Sequence, residues 1–154
     1  MLLATLIHRA SLPCPQVGPA QAAQLLEQHY GLHGTLQSLG SQQDLNYKVD
    51  SARGRFVLKI CRGDYAAVEL QAQHAALNEL QARADLRVPR VIKALNGEEL
   101  LTVSVDGQTL HVRLLDYIDG QPLTHLPHLG RKVIAGFGEL CGRMSQALAT
   151  FTHA

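Results

Sequence analysis

The sequence lacks tryptophan, and only 5% of its 154 residues are aromatic. We therefore do not expect a protein that stacks bases on aromatic platforms. Charge of neither sign dominates, because the formal net charge is +1, and this argues against a nucleic-acid surface. No apolar run approaches the roughly 20 residues that span a bilayer, so we expect no membrane segment. Apolar residues make up 46% and charged residues 18%, a balance that is typical of a globular domain.

Cysteine pairs and metal-ligand motifs are also missing. Cys14, Cys61 and Cys141 are far apart and form no CxxC pair, which argues against a disulfide framework or a zinc site. His125 and His128 are three residues apart, but no HExxH motif occurs. We expect no metal site in the chain. The apolar start is too short for a signal peptide, so we expect a cytoplasmic protein.

The hydrophobic pattern predicts an α+β domain. The expected elements are a helix over 20–30, strands over 34–39, 45–49 and 55–61, a helix over 64–83, strands over 100–105 and 109–117, and a helix over 131–150. Asp106-Gly107 between two apolar runs favours a hairpin. We therefore expect an antiparallel sheet of about five strands, with one long helix after the third. Residues 1–18 are interpreted as a loose leader.

A lysine in an apolar strand is the most informative feature. Lys59 lies in Phe56-Val57-Leu58-Lys59-Ile60, although lysine is depleted from strands and is almost never buried without a partner. It needs either a route to solvent or an anion. Glu69 follows about ten residues later on the predicted helix. A strand lysine followed by a helix glutamate is how protein-kinase-like folds hold ATP phosphates.

Four stretches together resemble an aminoglycoside phosphotransferase/choline kinase-type enzyme, of the hydroxylysine-kinase-like branch. They are Leu39–Val49, Gly54–Ile60, Glu69–Leu80 and Val112–Leu123. The resemblance implies a protein-kinase-like small lobe over 19–120, with the hinge and first helix of a second lobe over 121–154. It covers roughly residues 19–150.

The resemblance also implies roles for individual residues. Lys59 would contact the α- and β-phosphates of ATP, and Glu69 would pair with Lys59. The loop residues Gly40, Ser41, Gln43 and Asn46 would turn over the phosphates. Backbone groups of Asp116, Tyr117 and Ile118 would meet the adenine. The partners implied are a nucleotide, carried with Mg²⁺, and a small-molecule substrate with a hydroxyl or amino group.

Two departures limit the activity expected of this chain. The loop contains one glycine, Gly40, and no GxGxxG or Walker motif. The family's His-Gly-Asp stretch with its following Asn, and its metal-binding Asp, do not occur. We therefore assign no catalytic residue here, expect the Mg²⁺ ligands in a missing C-terminal part, and expect this chain alone to be inactive.

Alternatives stay open at this point. Lys59 could extend to solvent from an edge strand, Glu69 could be a solvated helix residue, and the loop residues could be plain turn residues. Arg113 is interpreted as a strand surface residue and left out of the site. The final helix is expected to pack in the core, or to pair with another copy where its apolar face is uncovered. The competing function is a non-catalytic kinase-like binding or assembly module, possibly within a larger multidomain enzyme. A hydrolase is a weaker alternative, since no GxSxG motif occurs.

Overall fold

The structure, a computed structural model, describes residues 14–41, 43–83 and 85–153. In chain order the elements are α1 Pro19–Tyr30, β1 Gly34–Leu39, β2 Leu45–Ser51, β3 Gly54–Arg62, α2 Ala67–Gln81, β4 Val91–Ile92, β5 Leu101–Val105, β6 Gln108–Asp116, a 3-10 turn Leu123–His125 and α3 Arg131–Ala147. The predicted α+β architecture is confirmed. The sheet has six strands in place of about five, because the two residues of β4 pair with β6.

The N-terminal helix begins and ends where the sequence predicts. Pro19 occupies the start of α1, where its missing N–H costs nothing. Gly31 ends the helix in the left-handed conformation, with φ at 60°, and its N–H donates to the Glu27 carbonyl at 2.9 Å. Val17, at the end of the predicted leader, is buried in the core, and the Tyr47 hydroxyl donates to its carbonyl at 3.2 Å. Residues 1–13 lie outside the described part of the chain.

The sheet is antiparallel, in the order β1-β2-β3-β6-β4, with β5 also pairing with β6. The predicted hairpin is confirmed: Asp106 and Gly107 both have positive φ, 49° and 79°, as a type I′ turn requires. Strands β3 and β6 are neighbours over seven registered pairs. They form the rigid centre on which the candidate site is built.

The two faces of β3 and β6 differ in chemistry. Leu58, Ile60, Val112 and Leu114 are fully buried and join the core that also contains Leu26 of α1. Successive strand side chains point to opposite faces, so Lys59 and the other odd-numbered residues point away from this core. The polar row of the site is therefore fixed by the same alternation that builds the core.

Helix α2 begins later than predicted. Its N-cap is Ala66, which has extended backbone and no capping side chain, whereas Asp64 pairs with Arg62 at 3.3 Å. The sequence predicts Asp64 or a neighbour as the cap, and the cap falls on the neighbour Ala66 while the Asp64 carboxylate pairs with Arg62 on the preceding strand. The buried residues of α2 are Leu70, His74 and Leu80.

The final helix does not pack in the core along most of its length. Val133, Ile134, Phe137 and Leu140 are 38–57% exposed, and Ala147 is the residue of α3 that is buried. Within the described residues, the C-terminal part of α3 contacts the domain, through a small cluster with Leu80 and Leu86 and through the pairing of Arg143 with Asp85. The expectation of core packing is wrong for the described residues. No described helix is long and apolar enough to cross a membrane.

Candidate functional site

A polar row crosses three strands of the sheet. Asn46 on β2 is the register partner of Lys59 on β3, and Lys59 is the register partner of Arg113 on β6. Side chains that are paired across antiparallel strands lie on the same face, about 5 Å apart at Cβ. The row places an amide, an ammonium and a guanidinium side by side.

Lys59 is held by two groups from the start of β2 and the loop before it. Its Nζ donates to Asn46 Oδ1 at 2.7 Å and lies 3.7 Å from Asp44 Oδ2. The Lys59 side chain keeps 20% of its exposure, so the ammonium has a route to the cavity described below. Lys59 is not on an edge strand, because β3 is central in the sheet. Nor is its side chain fully buried, since it keeps 20% exposure.

The structure places the Asp44 carboxylate beside Lys59, whereas the pairing of Lys59 with Glu69 stays a prediction. Glu69 lies on the exposed side of the first turn of α2. Leu70 and His74 are the buried residues of this part of the helix. Glu69 precedes Leu70 in sequence, so its side chain is rotated about 100° around the helix axis from that of Leu70. The side of α2 that reaches the sheet here is that of Gln73.

Arg113 was misjudged as a surface residue. It is 4% exposed, and its Nη2 donates to Gln73 Oε1 on α2 at 2.6 Å. Its Nε is buried and has no hydrogen-bond partner among the described residues. A signal for it was present: like Lys59, Arg113 interrupts an apolar run, since Val112 and Leu114 flank it.

Two hydrogen bonds that involve side chains hold the described residues of the loop before β2. The Asp44 N–H donates to Ser41 Oγ at 3.2 Å, and the Tyr65 hydroxyl donates to Gln43 Oε1. Gln43 is thus occupied with Tyr65 just before α2. Gly40 is exposed, and a Cβ added there would meet nothing within 4 Å, so its backbone does not require glycine. Gln42 lies outside the described residues.

The predicted hinge residues lie at the end of β6 and directly after it, and they differ in whether their backbone N–H groups already donate hydrogen bonds. The N–H of Asp116 donates to the Arg90 carbonyl at 2.9 Å, and that of Tyr117 donates to the Arg55 carbonyl at 3.1 Å. The Asp116 carboxylate pairs with Arg90. Ile118 is therefore the hinge residue whose N–H has no hydrogen bond to another described residue.

A cavity of about 540 Å³ brings these parts together. Its polar lining comprises Asp44, Lys59, Tyr65, Gln73, Arg113 and Asp116, and the hinge residues Tyr117 and Ile118 close one side. Its apolar lining is Val57, Leu70, Leu77, Pro89 and Leu115. We call this the Lys59 cavity. Of the predicted site residues, Lys59, Asp116, Tyr117 and Ile118 line it, whereas Glu69, Gly40, Ser41, Gln43 and Asn46 do not.

A larger cavity, of about 810 Å³, lies on the other side of the hinge. It shares Asp116, Tyr117 and Ile118 with the Lys59 cavity, and Arg55 and Arg90 line it. Arg55 pairs with Asp119, and Arg90 pairs with Asp116. Arg55 and Arg90 are exposed at the surface, and none of the polar residues that line this cavity is buried, so it offers no buried polar anchor for a ligand.

Two titratable groups near the row are shifted in opposite directions. Burial, with the nearby Asp44, raises the pKa of the Cys61 thiol to about 11, so this cysteine stays protonated. Burial, with the nearby Arg113, lowers the pKa of His74 to about 4. The positive charge at neutral pH is therefore confined to Lys59 and Arg113 within this cluster.

The Lys59 cavity suits a nucleotide in two respects. An ammonium and a partly unsatisfied guanidinium in one cavity are donors for phosphate oxygens. The apolar walls and the Ile118 amide suit a flat base. Among the described residues, no three His, Cys, Asp or Glu side chains are grouped so as to hold a metal ion.

Comparisons with known proteins identify the family and the fold of the chain. The family model described as "Phosphotransferase enzyme family" matches residues 35–153. A search of the curated proteins gives no match. A microcompartment-associated aminopropanol kinase superposes with a TM-score of 0.71 and 21% identity, covering 88% of this chain and 42% of its own.

Two further solved structures share the fold. An amicoumacin kinase, whose structure contains AMP-PNP and Ca²⁺, superposes with a TM-score of 0.74 and 13% identity, over 97% of this chain and 43% of its own. A spectinomycin phosphotransferase in complex with ADP superposes with a TM-score of 0.57 and 15% identity, over 77% of this chain and 35% of its own. The chain spans less than half the length of each of these proteins.

The fold and the site together define a kinase-like small lobe. The chain belongs to the phosphotransferase enzyme family.

Proposed function

We propose that the chain is the nucleotide-binding lobe of an ATP-dependent phosphotransferase that acts on a small molecule with a hydroxyl or amino group. The observation that carries the proposal is the place of Lys59, on a central strand in a cavity that also contains the hinge residues 116–118. Phosphoryl transfer depends on positioning and charge neutralisation more than on covalent chemistry. A lysine fixed on a strand supplies one such charge.

In this proposal Lys59 contacts the α- and β-phosphates of ATP, and Asn46 and Asp44 hold the lysine in place until the nucleotide binds. Ile118 donates to the adenine edge. The loop residues Gly40, Ser41 and Gln43 form the cover above the phosphates, pinned to Tyr65. Glu69 would act on the site through the first turn of α2 and not by direct contact with Lys59.

The groups that complete the transfer are proposed to lie outside these residues. The His-Gly-Asp stretch does not occur in the sequence, so we place the catalytic base and the Mg²⁺ ligands in other parts of the protein. In this view residues 19–120 form the lobe, and residues 121–154 form the hinge and the first helix of the second lobe. Fold relatives named for aminopropanol and spectinomycin support a hydroxyl- or amino-bearing acceptor.

Two further features of the protein are proposed. Cys61 and Cys141 form no disulfide, which suits a reducing compartment such as the cytoplasm. The uncovered apolar residues of α3 would let two copies of the chain associate through this helix.

A thermal-shift titration with Mg·ATP tests the proposal. Ligand at 100 times its Kd stabilises the folded state by about 2.7 kcal/mol, which shifts the midpoint by several degrees. We expect such a shift for the natural chain and for Lys93→Ala, an exposed lysine outside the cavity, and a much smaller one for Lys59→Ala. A shift that is equal in all three proteins would contradict the proposal.

The second candidate is a kinase-like lobe kept for binding or assembly and not for catalysis. One observation favours it: the carboxylate beside Lys59 comes from the loop, where it can neutralise the lysine without a nucleotide. This candidate predicts no Lys59-dependent response to ATP even in the longest natural form of the protein. The kinase-lobe proposal predicts that response in every form.

A further inference from the structure

Among the described residues, no carboxylate forms an ion pair with the buried guanidinium of Arg113. Both carboxylates that line the Lys59 cavity already face other cations: Asp44 lies 3.7 Å from Lys59, and Asp116 pairs with Arg90. The hydrogen-bond partner that the structure gives Arg113 is Gln73, a neutral amide. A buried charge is costly unless it is paired.

The position of Arg113 increases this cost. It is the register partner of Lys59, so two cations lie directly opposite each other on neighbouring strands. Like charges in this arrangement repel each other. An anion between them would turn the repulsion into two attractions, since each cation would then face a negative group.

The guanidinium also has unused donor capacity. Arg113 is 4% exposed, and its Nε is buried without a partner among the described residues. The planar guanidinium carries five N–H donors in a fork that suits phosphate oxygens. Since Arg113 and Lys59 line the same cavity, one phosphate chain can reach both.

We propose that Arg113 is a second phosphate-contacting residue, which binds a phosphate oxygen of the nucleotide beside Lys59. This inference rests on the proposed function, because it takes the ligand of the Lys59 cavity to be a nucleotide. Gln73 then acts as a positioning residue: its amide oxygen orients the guanidinium and ties α2 to the sheet.

The test compares ADP with adenosine by titration calorimetry. Arg113→Met keeps an unbranched apolar stem and removes the charged guanidinium. We expect it to weaken ADP binding about tenfold or more and adenosine binding less than twofold, since only ADP carries the phosphates. Gln73→Met, which removes the tether and keeps the cation, is expected to weaken ADP binding about threefold at most. Arg143→Met, a charge removed from exposed α3, is expected to change neither.

The outcomes separate this inference from the proposed function. ADP binding that falls with Lys59→Met and stays unchanged with Arg113→Met overturns this inference alone. A natural chain that binds no ADP overturns both. A third outcome is that Arg113→Met weakens ADP and adenosine binding equally and that Gln73→Met has the same effect. Arg113 would then be a structural tether, and the inference would be overturned.

A second variant covers the case in which Arg113→Met does not fold. Arg113→Lys keeps the charge and loses the fork, and we expect about a threefold loss of ADP affinity with adenosine unchanged. Inorganic pyrophosphate, which has phosphates and no base, is expected to compete with ADP in the natural chain and less well in Arg113→Lys. ADP and pyrophosphate affinities equal to those of the natural chain would overturn the inference.

Discussion

Lys59 on β3 and Arg113 on β6 are register partners, so two cations lie side by side on the face of the sheet below α2. Asn46 and Asp44 hold the first cation, and Gln73 holds the second. Like charges in this arrangement repel each other. In our proposal a phosphate bound between them relieves this repulsion.

Two buried tyrosines give a matched test of the core. The Tyr47 hydroxyl donates to the Val17 carbonyl, whereas the Tyr30 hydroxyl is buried without a hydrogen-bond partner among the described residues. We expect Tyr47→Phe to lower the free energy of unfolding by about 1 kcal/mol, and Tyr30→Phe to leave it unchanged or raise it. Urea unfolding of both variants checks this. A larger loss for Tyr30→Phe than for Tyr47→Phe would be the contrary result.

The stability of the lobe should depend on pH through His74. Burial and the nearby Arg113 lower the pKa of His74 to about 4 in the folded protein, although Glu99 Oε2 lies 4.0 Å from its Nδ1. The unfolded chain takes up this proton near pH 6.5, so between about pH 6.5 and pH 4 it binds more protons than the folded chain. The free energy of unfolding should therefore decrease as the pH is lowered from about 6.5 to about 4, by roughly 2–3 kcal/mol from this group.

Unfolding at a series of pH values checks this prediction. His74→Gln is expected to flatten the profile between pH 4 and pH 6.5. His33→Gln is the matched control, because the His33 side chain is 75% exposed, and it should leave the profile unchanged. A slope that survives in His74→Gln would assign the effect to other groups.

The tie between the loop and α2 should be visible in hydrogen exchange. The Tyr65 hydroxyl donates to Gln43, and this bond connects the 41–44 loop to the chain before α2. We expect Tyr65→Phe to speed amide exchange in residues 41–44 severalfold and to leave the 51–54 turn unchanged. Exchange that is equally slow in the loop of both proteins would show that the loop is held by other contacts.

The uncovered face of α3 predicts self-association. Ile134 and Phe137 are 57% and 55% exposed, so replacing both with serine removes apolar surface without opening the core. We expect Ile134→Ser/Phe137→Ser to lower association in analytical ultracentrifugation and to change the unfolding midpoint little. A natural chain that stays monomeric at high concentration would contradict association through this face.

The sequence predicted the parts of the fold that periodicity and turn chemistry determine. Gly31 and Asp106-Gly107 adopt positive φ where the sequence places a helix end and a hairpin. The cap of α2 falls on Ala66, a neighbour of Asp64, and Asp64 itself pairs with Arg62, which is a contact outside the helix that the sequence did not predict. The exposure of α3 was misjudged because periodicity marks an apolar face but does not say what covers it.

The sequence predicted Lys59 as a site residue but did not predict its neighbours in the structure. Lys59 was found because a lysine in an apolar strand is unusual, and the structure places it beside the predicted hinge. Its neighbour Asp44 and the buried Arg113 depend on strand register and on the rotation of α2. Register follows from how the strands pair in space, so the sequence did not identify Asp44 as a neighbour of Lys59.

The most direct test of the central claim is the affinity of the chain for Mg·ADP, measured by titration calorimetry with Lys59→Met and Lys93→Met. Lys59 is the cation in the cavity, and Lys93 is an exposed lysine elsewhere. We predict that Lys59→Met weakens binding by about tenfold to a hundredfold and that Lys93→Met leaves it unchanged. Equal affinities in all three proteins, or no binding by the natural chain, would contradict a nucleotide site at Lys59.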